Sequence, residues 1–310
     1  MIRFIYKFLL PALVLAAILL SGCISQNGPE KGEASASGNS SVNASQSACD
    51  ASWGKIRAAA TIAPLGQFVK AVGGDRVIVT VIVPPAAEPH TFEPTPSQMA
   101  ELAGSDILVK NGAGLEYWLD RVLQAHESVL VVDSSLGVNL LLEREDEIDP
   151  HIWLSLRNAA AMVRNICSGL CEADPENRDF YIKNTEAYLE ELKALDGRFN
   201  QTFAGKGGRI FIVHHPAWTY FAADYNLTQV AIMEEEKEPG PRHLGEIISL
   251  ARQNNITTIF AEPQLNPRSA EVIASEMNAS VVVLDPLAGD YLQNMRYAGE
   301  EIARSLAGQA

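Results

Sequence analysis

Basic side chains are scarce in this chain of 310 residues. The sequence has 24 Lys and Arg residues against 38 Asp and Glu residues, which gives a formal net charge of −14 at pH 7. An acidic surface repels phosphate groups, so the composition argues against binding to nucleic acid and against an electrostatic hold on anionic lipid. The charge suits a soluble body, and acidity alone does not show that the chain collects cations.

Cysteine is also rare, with four residues in total and no CxxC pair. This absence argues against a zinc site built from cysteines. Cys167 and Cys171 lie four residues apart on the apolar face of a predicted helix, and Cys49 is left over. We expect Cys167 and Cys171 to be buried free thiols. A disulfide that involves Cys49 is the alternative, because disulfides persist outside the cytoplasm.

The chain has no apolar run that would span a membrane comfortably. The apolar segment at residues 8–20 is shorter than the roughly 20 residues that a spanning helix needs. It follows Arg3 and Lys7 and precedes Leu20-Ser21-Gly22-Cys23, an order typical of a secretory signal. The segment resembles the lipobox of prokaryotic lipoproteins. That resemblance implies cleavage after residue 22, a lipid on Cys23 and an extracytoplasmic body anchored to the cell membrane; an uncleaved anchor is the alternative.

Beyond the signal, the composition changes twice. Residues 23–52 are rich in Ser, Gly and Asn and predict a flexible linker after the lipidated cysteine. From residue 53 onward, β-branched and apolar runs alternate with helical patterns. We predict strands at residues 56–61, 77–83, 106–110, 129–133, 209–213, 229–233, 257–261 and 280–284.

This alternation is typical of mainly parallel sheets covered by helices. Asp174-Pro175 begins a long helical pattern that separates two halves with the same order of elements. We therefore predict an α/β fold with two lobes, each a mainly parallel sheet flanked by helices. The lobes comprise residues 53–173 and 205–310, and one long rigid helix at residues 174–204 joins them.

Several histidines lie where α/β proteins bind ligands, beyond the carboxyl ends of strands. His90 follows the second predicted strand, His214 and His215 end the fifth, and His151 precedes a helix, while Asp285 follows the last strand. Alternation along a strand sends adjacent side chains in opposite directions, so only one of His214 and His215 should coordinate a metal. Three imidazoles and a carboxylate fit a tetrahedral zinc-type site. Separate hydrogen bonds within each loop are the alternative.

Four motifs occur in order: Glu88–Pro96 (EPHTFEPTP), Asp149–Trp153 (DPHIW), His215–Phe221 (HPAWTYF) and Leu284–Leu287 (LDPL). Together with the lipobox, they resemble the zinc/manganese solute-binding lipoproteins of ABC transporters, from about residue 55 to the C-terminus. The resemblance implies two α/β lobes joined by a single backbone helix, with a metal bound in the cleft. It also implies delivery to an ABC permease and its ATPase in the cytoplasmic membrane, without catalysis.

Carried over by motif, the resemblance implies that His90, His151 and His215 are metal ligands and that Asp285 is the carboxylate ligand. Glu88 or a water molecule is the alternative to Asp285. In the family a third imidazole accompanies zinc and a carboxylate at that place accompanies manganese, which agrees with the ligand preferences of the two ions. We therefore predict Zn²⁺ as the bound ion, with Mn²⁺ or Fe²⁺ as alternatives.

Two other classes of function remain open from the residues alone. A secreted zinc hydrolase would also use three histidines and a water molecule, but the sequence has no HExxH motif, and only Glu88 or Glu262 would be available as the base. An adhesin-like surface protein with a structural metal would suit the lipid and the linker equally well. We expect a monomer that binds no nucleic acid.

Overall fold

The computed structural model describes residues 54–119, 123, 129–144, 147–233 and 239–309. The predicted signal, Cys23, the linker and Cys49 therefore lie outside the described residues. Across the part of the chain that is described, no helix combines the length and the apolar character needed to cross a membrane.

The first lobe is built on a sheet of four parallel strands in the order β2-β1-β3-β4. Its helices are connected as the sequence predicts, and the second of them begins with a capping box in which Thr95 and Gln98 bond to each other's backbone N–H. The elements are β1 Ile56–Ala60, α1 Ala63–Gly73, β2 Val77–Val81, α2 Pro96–Ala103, β3 Ile107–Lys110 and β4 Leu130–Asp133.

A short antiparallel hairpin follows the first sheet, with strands β5 Leu142–Arg144 and β6 Glu147–Ile148. The sequence predicted only a connection there, because strands of three and two residues are too short to show a period. Helix α3 Leu156–Ala173 then packs on the first sheet. Cys167 and Cys171 are buried free thiols on α3, with their sulfur atoms 4.0 Å apart, which confirms the expectation for these two residues.

The long connecting helix is α4 Arg178–Phe203, whose 26 residues span about 39 Å at 1.5 Å per residue. Its buried stripe contacts both lobes. The ring of Tyr188 lies 6.1 Å from Phe68 of α1, and Phe199 lies 5.8 Å from Phe221 of the second lobe. A single apolar cluster therefore continues from the first sheet along α4 into the second half. The exact domain boundaries stay a prediction.

The second lobe repeats the architecture with four parallel strands in the order β10-β9-β7-β8. All eight strands of the two predicted sheets are present, and their ends differ from the predicted ends by at most two residues. The fold class is thus confirmed. The elements are β7 Ile210–Val213, α5 Thr219–Asp224, β8 Thr228–Ala231, α6 Pro241–Gln253, β9 Thr258–Ala261, α7 Arg268–Met277, β10 Ser280–Val283 and α8 Tyr291–Ser305.

Candidate metal centre

Three loops from the two lobes bring His90, His151 and His215 together. His90 lies in the 3₁₀ turn Pro89–Thr91 after β2, and His151 lies immediately before the 3₁₀ turn Ile152–Leu154. His215 lies two residues beyond the end of β7 in the second lobe. One candidate ligand atom from each histidine lies within 4.8 Å of the other two, which among the described residues is the one such group of three or more potential metal ligands. We call these three residues the histidine cluster.

The spacing of the ring nitrogens matches that of ligands around a small divalent cation. His151 Nε2 lies 3.1 Å from His90 Nε2 and 3.1 Å from His215 Nε2. A tetrahedron with metal–nitrogen bonds of 2.0–2.1 Å has edges of about 3.3–3.4 Å. The two Nε2 separations therefore differ by only a few tenths of an ångström from those expected around one tetrahedral ion.

The cluster is largely removed from water, and this sets its charge state. His215 is 2% exposed and His151 is 4% exposed, while His90 keeps a partly open side. Burial, followed by the neighbouring His151, lowers the pKa of His90 to about 3. The same two causes lower the pKa of His215 well below its usual value. Both imidazoles are thus neutral near pH 7 and have lone pairs available for a metal.

His214 points away from the cluster, as strand alternation predicts. Its backbone extends the sheet, because its N–H donates to Phe260 O at 2.7 Å and its carbonyl accepts from Met233 N at 2.9 Å. Its Nε2 lies 2.8 Å from Ser269 Oγ, in the interior of the second lobe. Only His215 of the adjacent pair belongs to the cluster.

Asp285 is not brought into the cluster. Its Oδ1 accepts from Gln264 Nε2 at 2.7 Å and from Leu287 N at 2.9 Å. Gln264 Nε2 also lies 3.1 Å from Pro85 O in the first lobe, so Asp285 takes part in a bridge between the lobes. Coordination of a metal by Asp285 stays a prediction.

Glu88, the alternative fourth ligand, lies beside the cluster. Its Oε1 is 3.9 Å from His90 Nε2 and accepts a bond from His90 N at 3.1 Å. Burial raises the pKa of this carboxyl group. A carboxylate at this distance could reach a metal held by the three histidines after a small rotation of its side chain.

Comparison with known proteins decides the family. Residues 59–305 match the family model described as ZnuA, zinc-uptake complex component A, periplasmic. The chain belongs to this zinc-uptake component A family. The family comprises metal-transport components and is not a class of enzymes, and the membership confirms the resemblance drawn from the four motifs.

Known proteins that are similar to this chain are named for different metals. The chain is 30% identical over 272 residues to the high-affinity zinc uptake system protein ZnuA of Bacillus subtilis (strain 168), covering 82% of this chain and 84% of the relative. It is 30% identical over 222 residues to the manganese-binding lipoprotein MntA of Halalkalibacterium halodurans, covering 70% and 74%. A crystal structure of ZnuA aligns with a TM-score of 0.79 at 38% identity, covering 82% of this chain and all of that one.

One contact of the cluster was missed in the sequence. Asp149, part of the DPHIW motif, accepts a hydrogen bond from His151 Nδ1 at 2.8 Å. The spacing of Asp149 and His151 could have indicated this contact. An Asp side chain commonly accepts a hydrogen bond from the backbone N–H two residues further on, which places the two side chains close together. Tyr220, which donates to Asp149 O at 2.8 Å, comes from α5 and gave no comparable signal.

Proposed function

We propose that this protein is the extracytoplasmic solute-binding component of an ABC importer. It captures Zn²⁺ between its lobes and delivers the ion to the permease and ATPase in the cytoplasmic membrane. The observation that carries the proposal is the convergence of three Nε2 atoms from loops of both lobes, 3.1 Å from one to the next. The zinc-uptake function named for the family and for the Bacillus subtilis relative supports it.

His90, His151 and His215 are the proposed ligands, and Asp285 or Glu88 completes the coordination. For Asp285 to bind, its Oδ1 must leave Gln264 and Leu287 N. Glu88 starts nearer, with Oε1 3.9 Å from His90 Nε2. The variants Asp285→Asn and Glu88→Gln distinguish the two, because only the loss of the true ligand should weaken Zn²⁺ binding strongly.

Zn²⁺ is the proposed cargo because three imidazoles suit a borderline ion, while Mn²⁺ prefers more oxygen ligands. The relative named as manganese-binding makes Mn²⁺ the necessary comparison. Competition between Zn²⁺, Mn²⁺ and Fe²⁺ for the purified protein under a chelator buffer measures the preference. Tighter binding of Mn²⁺ or Fe²⁺ would preserve the family and overturn zinc as the cargo.

The decisive experiment is a stoichiometric Zn²⁺ titration of the wild type beside the triple variant His90→Ala, His151→Ala, His215→Ala. The matched control is His243→Ala, which removes an imidazole of α6 outside the cluster. We expect one tightly held ion in the wild type and the control, and none in the triple variant. Equal binding by all three proteins would refute the ligand assignment.

Anchoring through a lipid on Cys23 is part of the same proposal, since delivery requires the protein to stay near its permease. The wild type should carry a lipid label at the mass expected after cleavage before residue 23, and the variant Cys23→Ala should lose that label. A wild type without the label and at its unprocessed mass would instead favour an uncleaved apolar anchor. We further propose that the protein acts as a monomer, which sedimentation of the zinc-loaded protein can check.

A further inference from the structure

Asp149 contacts the central member of the histidine cluster twice. Its carboxylate is fully buried, and a single oxygen, Oδ1, accepts from His151 Nδ1 at 2.8 Å and from His151 N at 2.9 Å. Its backbone is held on both sides: its N–H donates to Leu141 O at 3.0 Å, and its carbonyl accepts from Tyr220 of the second lobe at 2.8 Å. The carboxylate is therefore fixed relative to the imidazole.

This contact determines which nitrogen of His151 can bind a metal. An ionised carboxylate only accepts hydrogen bonds, so the proton of a neutral His151 lies on Nδ1 and the lone pair on Nε2. That lone pair faces the other two rings, because Nε2 lies 3.1 Å from both His90 Nε2 and His215 Nε2. Carboxylate–histidine pairs orient metal-binding imidazoles in this way in many proteins.

The second carboxylate oxygen of Asp149, Oδ2, affects how costly it is to bury the negative charge of this side chain. Oδ2 is buried and has no hydrogen-bond partner among the described residues. Over the same part of the chain, the basic side chain next to Asp149 is the imidazole of His151, and no lysine or arginine pairs with the carboxylate. A buried anion without a cation is costly, and a divalent ion at the three Nε2 atoms would offset that cost. The carboxylate thus favours the cation-bound protein over the empty one.

A purely structural role is the competing explanation. The bond from His151 N to Asp149 Oδ1 is an Asx turn that leads into the 3₁₀ turn Ile152–Leu154. Asn forms the same turn and can also accept from Nδ1–H through its carbonyl oxygen. Replacement by Asn therefore removes the negative charge and keeps the turn, whereas replacement by Ala removes both.

We propose that Asp149 is a positioning residue for metal capture, which holds the His151 proton on Nδ1, directs the Nε2 lone pair to the metal and supplies buried negative charge that the ion neutralises. The inference rests on the proposed function, because it assumes that the histidine cluster binds Zn²⁺. It concerns a residue that does not itself coordinate the ion.

The test measures Zn²⁺ affinity by chelator competition in full-length wild type, Asp149→Asn and Asp149→Ala, with urea unfolding of each metal-free protein. The control is Asp224→Asn, which alters a partly buried carboxylate elsewhere in the fold, bonded to Ser155 and paired with Arg157. We expect Asp149→Asn to lose about tenfold and Asp149→Ala about 100-fold in affinity, the range found for residues that support metal ligands. Asp224→Asn should bind within twofold of wild type.

The unfolding data separate positioning from structure. A positioning role predicts that metal-free Asp149→Asn is at least as stable as wild type while its affinity falls, because a costly buried charge has been removed. Unchanged affinity in Asp149→Asn would overturn the proposal, as would a loss of affinity that only follows a loss of stability. Long-range ¹H–¹⁵N spectra of the metal-free protein supply an independent readout, in which His151 should be protonated at Nδ1 in wild type and should lose that preference in Asp149→Ala.

Failure of this inference is distinguishable from failure of the proposed function. If wild type binds no Zn²⁺, or if the triple histidine variant binds it normally, the metal site itself is wrong. If the three histidines are required and Asp149→Asn binds as wild type does, only the role of Asp149 is refuted.

Discussion

Acid should destabilise the metal-free protein through His90, and the change His90→Asn should remove that effect. The pKa of His90 is about 3 in the folded chain, lowered by burial and by His151. It rises to about 6.5 on unfolding. As the pH falls below 6.5, His90 becomes protonated in the unfolded chain but stays neutral in the folded one. The free energy of unfolding therefore decreases between pH 6.5 and about pH 3.

The size of this stability loss follows from the difference between the pKa of His90 in the folded and the unfolded chain. Each pH unit below the unfolded pKa costs about 1.4 kcal/mol for one such histidine. Between pH 7 and pH 5 the wild type should therefore lose about 2 kcal/mol relative to His90→Asn, which for a domain of this size corresponds to a difference of roughly 4–8 °C in the unfolding temperature. His215, whose pKa is lowered for the same reasons, adds a loss in the same direction that both proteins share.

The assay is urea unfolding of both proteins at half-unit steps from pH 7 to pH 5, in the presence of a chelator that keeps the protein free of metal. The free energies of unfolding should diverge as the pH falls, with the wild type losing more. Free energies of unfolding that change with pH by the same amount in wild type and His90→Asn would refute the reasoning. So would a wild type that gains relative stability in acid, because it would mean that His90 binds its proton more tightly when folded.

Two further predictions test the packing that holds the lobes together, each by thermal or urea unfolding. Gly299→Ala on α8 should destabilise the protein by about 1–3 kcal/mol, because the added methyl group would overlap the ring of Phe199 on α4. The control Gly197→Ala lies on the open face of α4, where the methyl group meets no other atom. It should stabilise the protein by about 0.5–1 kcal/mol, because Ala favours a helix over Gly. Trp153→Phe should cost about 1–3 kcal/mol, because Trp153 Nε1 donates to Pro286 O at 2.7 Å and the buried carbonyl would lose its partner.

The sheets could be predicted from sequence because their strands form continuous apolar runs rich in β-branched residues. Val77–Val81 and Ser280–Val283 are examples, and each is followed by a loop that ends its pattern. The hairpin of β5 and β6 could not be predicted, since two or three residues carry no measurable period.

The candidate site was predictable to the level of residue type and loop. Histidines in loops at strand ends and before a helix indicated a metal site, and the resemblance of the motifs then implied that His90, His151 and His215 are its ligands. The surroundings of Asp285 were not predictable in this way. Its partner Gln264 follows β9 in the chain, and the bond from Gln264 to Pro85 joins different lobes, so no local pattern records it.

The distribution of the histidine cluster over the fold bears on how an ion would leave it. His90 and His151 belong to the first lobe and His215 to the second, so any separation of the lobes moves His215 away from the other two histidines. That separation is opposed by α4, whose buried face contacts both lobes, and by cross-lobe bonds such as Trp153 Nε1 to Pro286 O.

Because a packed core responds to strain as a unit, these contacts favour a small displacement of the His90 and His151 loops over a wide opening. Release would then require only that the nitrogen positions, now 3.1 Å apart, spread by about 1 Å or more, since metal–nitrogen bonds of 2.0–2.1 Å tolerate little stretching. A permease that shifts one loop by that distance could take the ion without separating the two sheets.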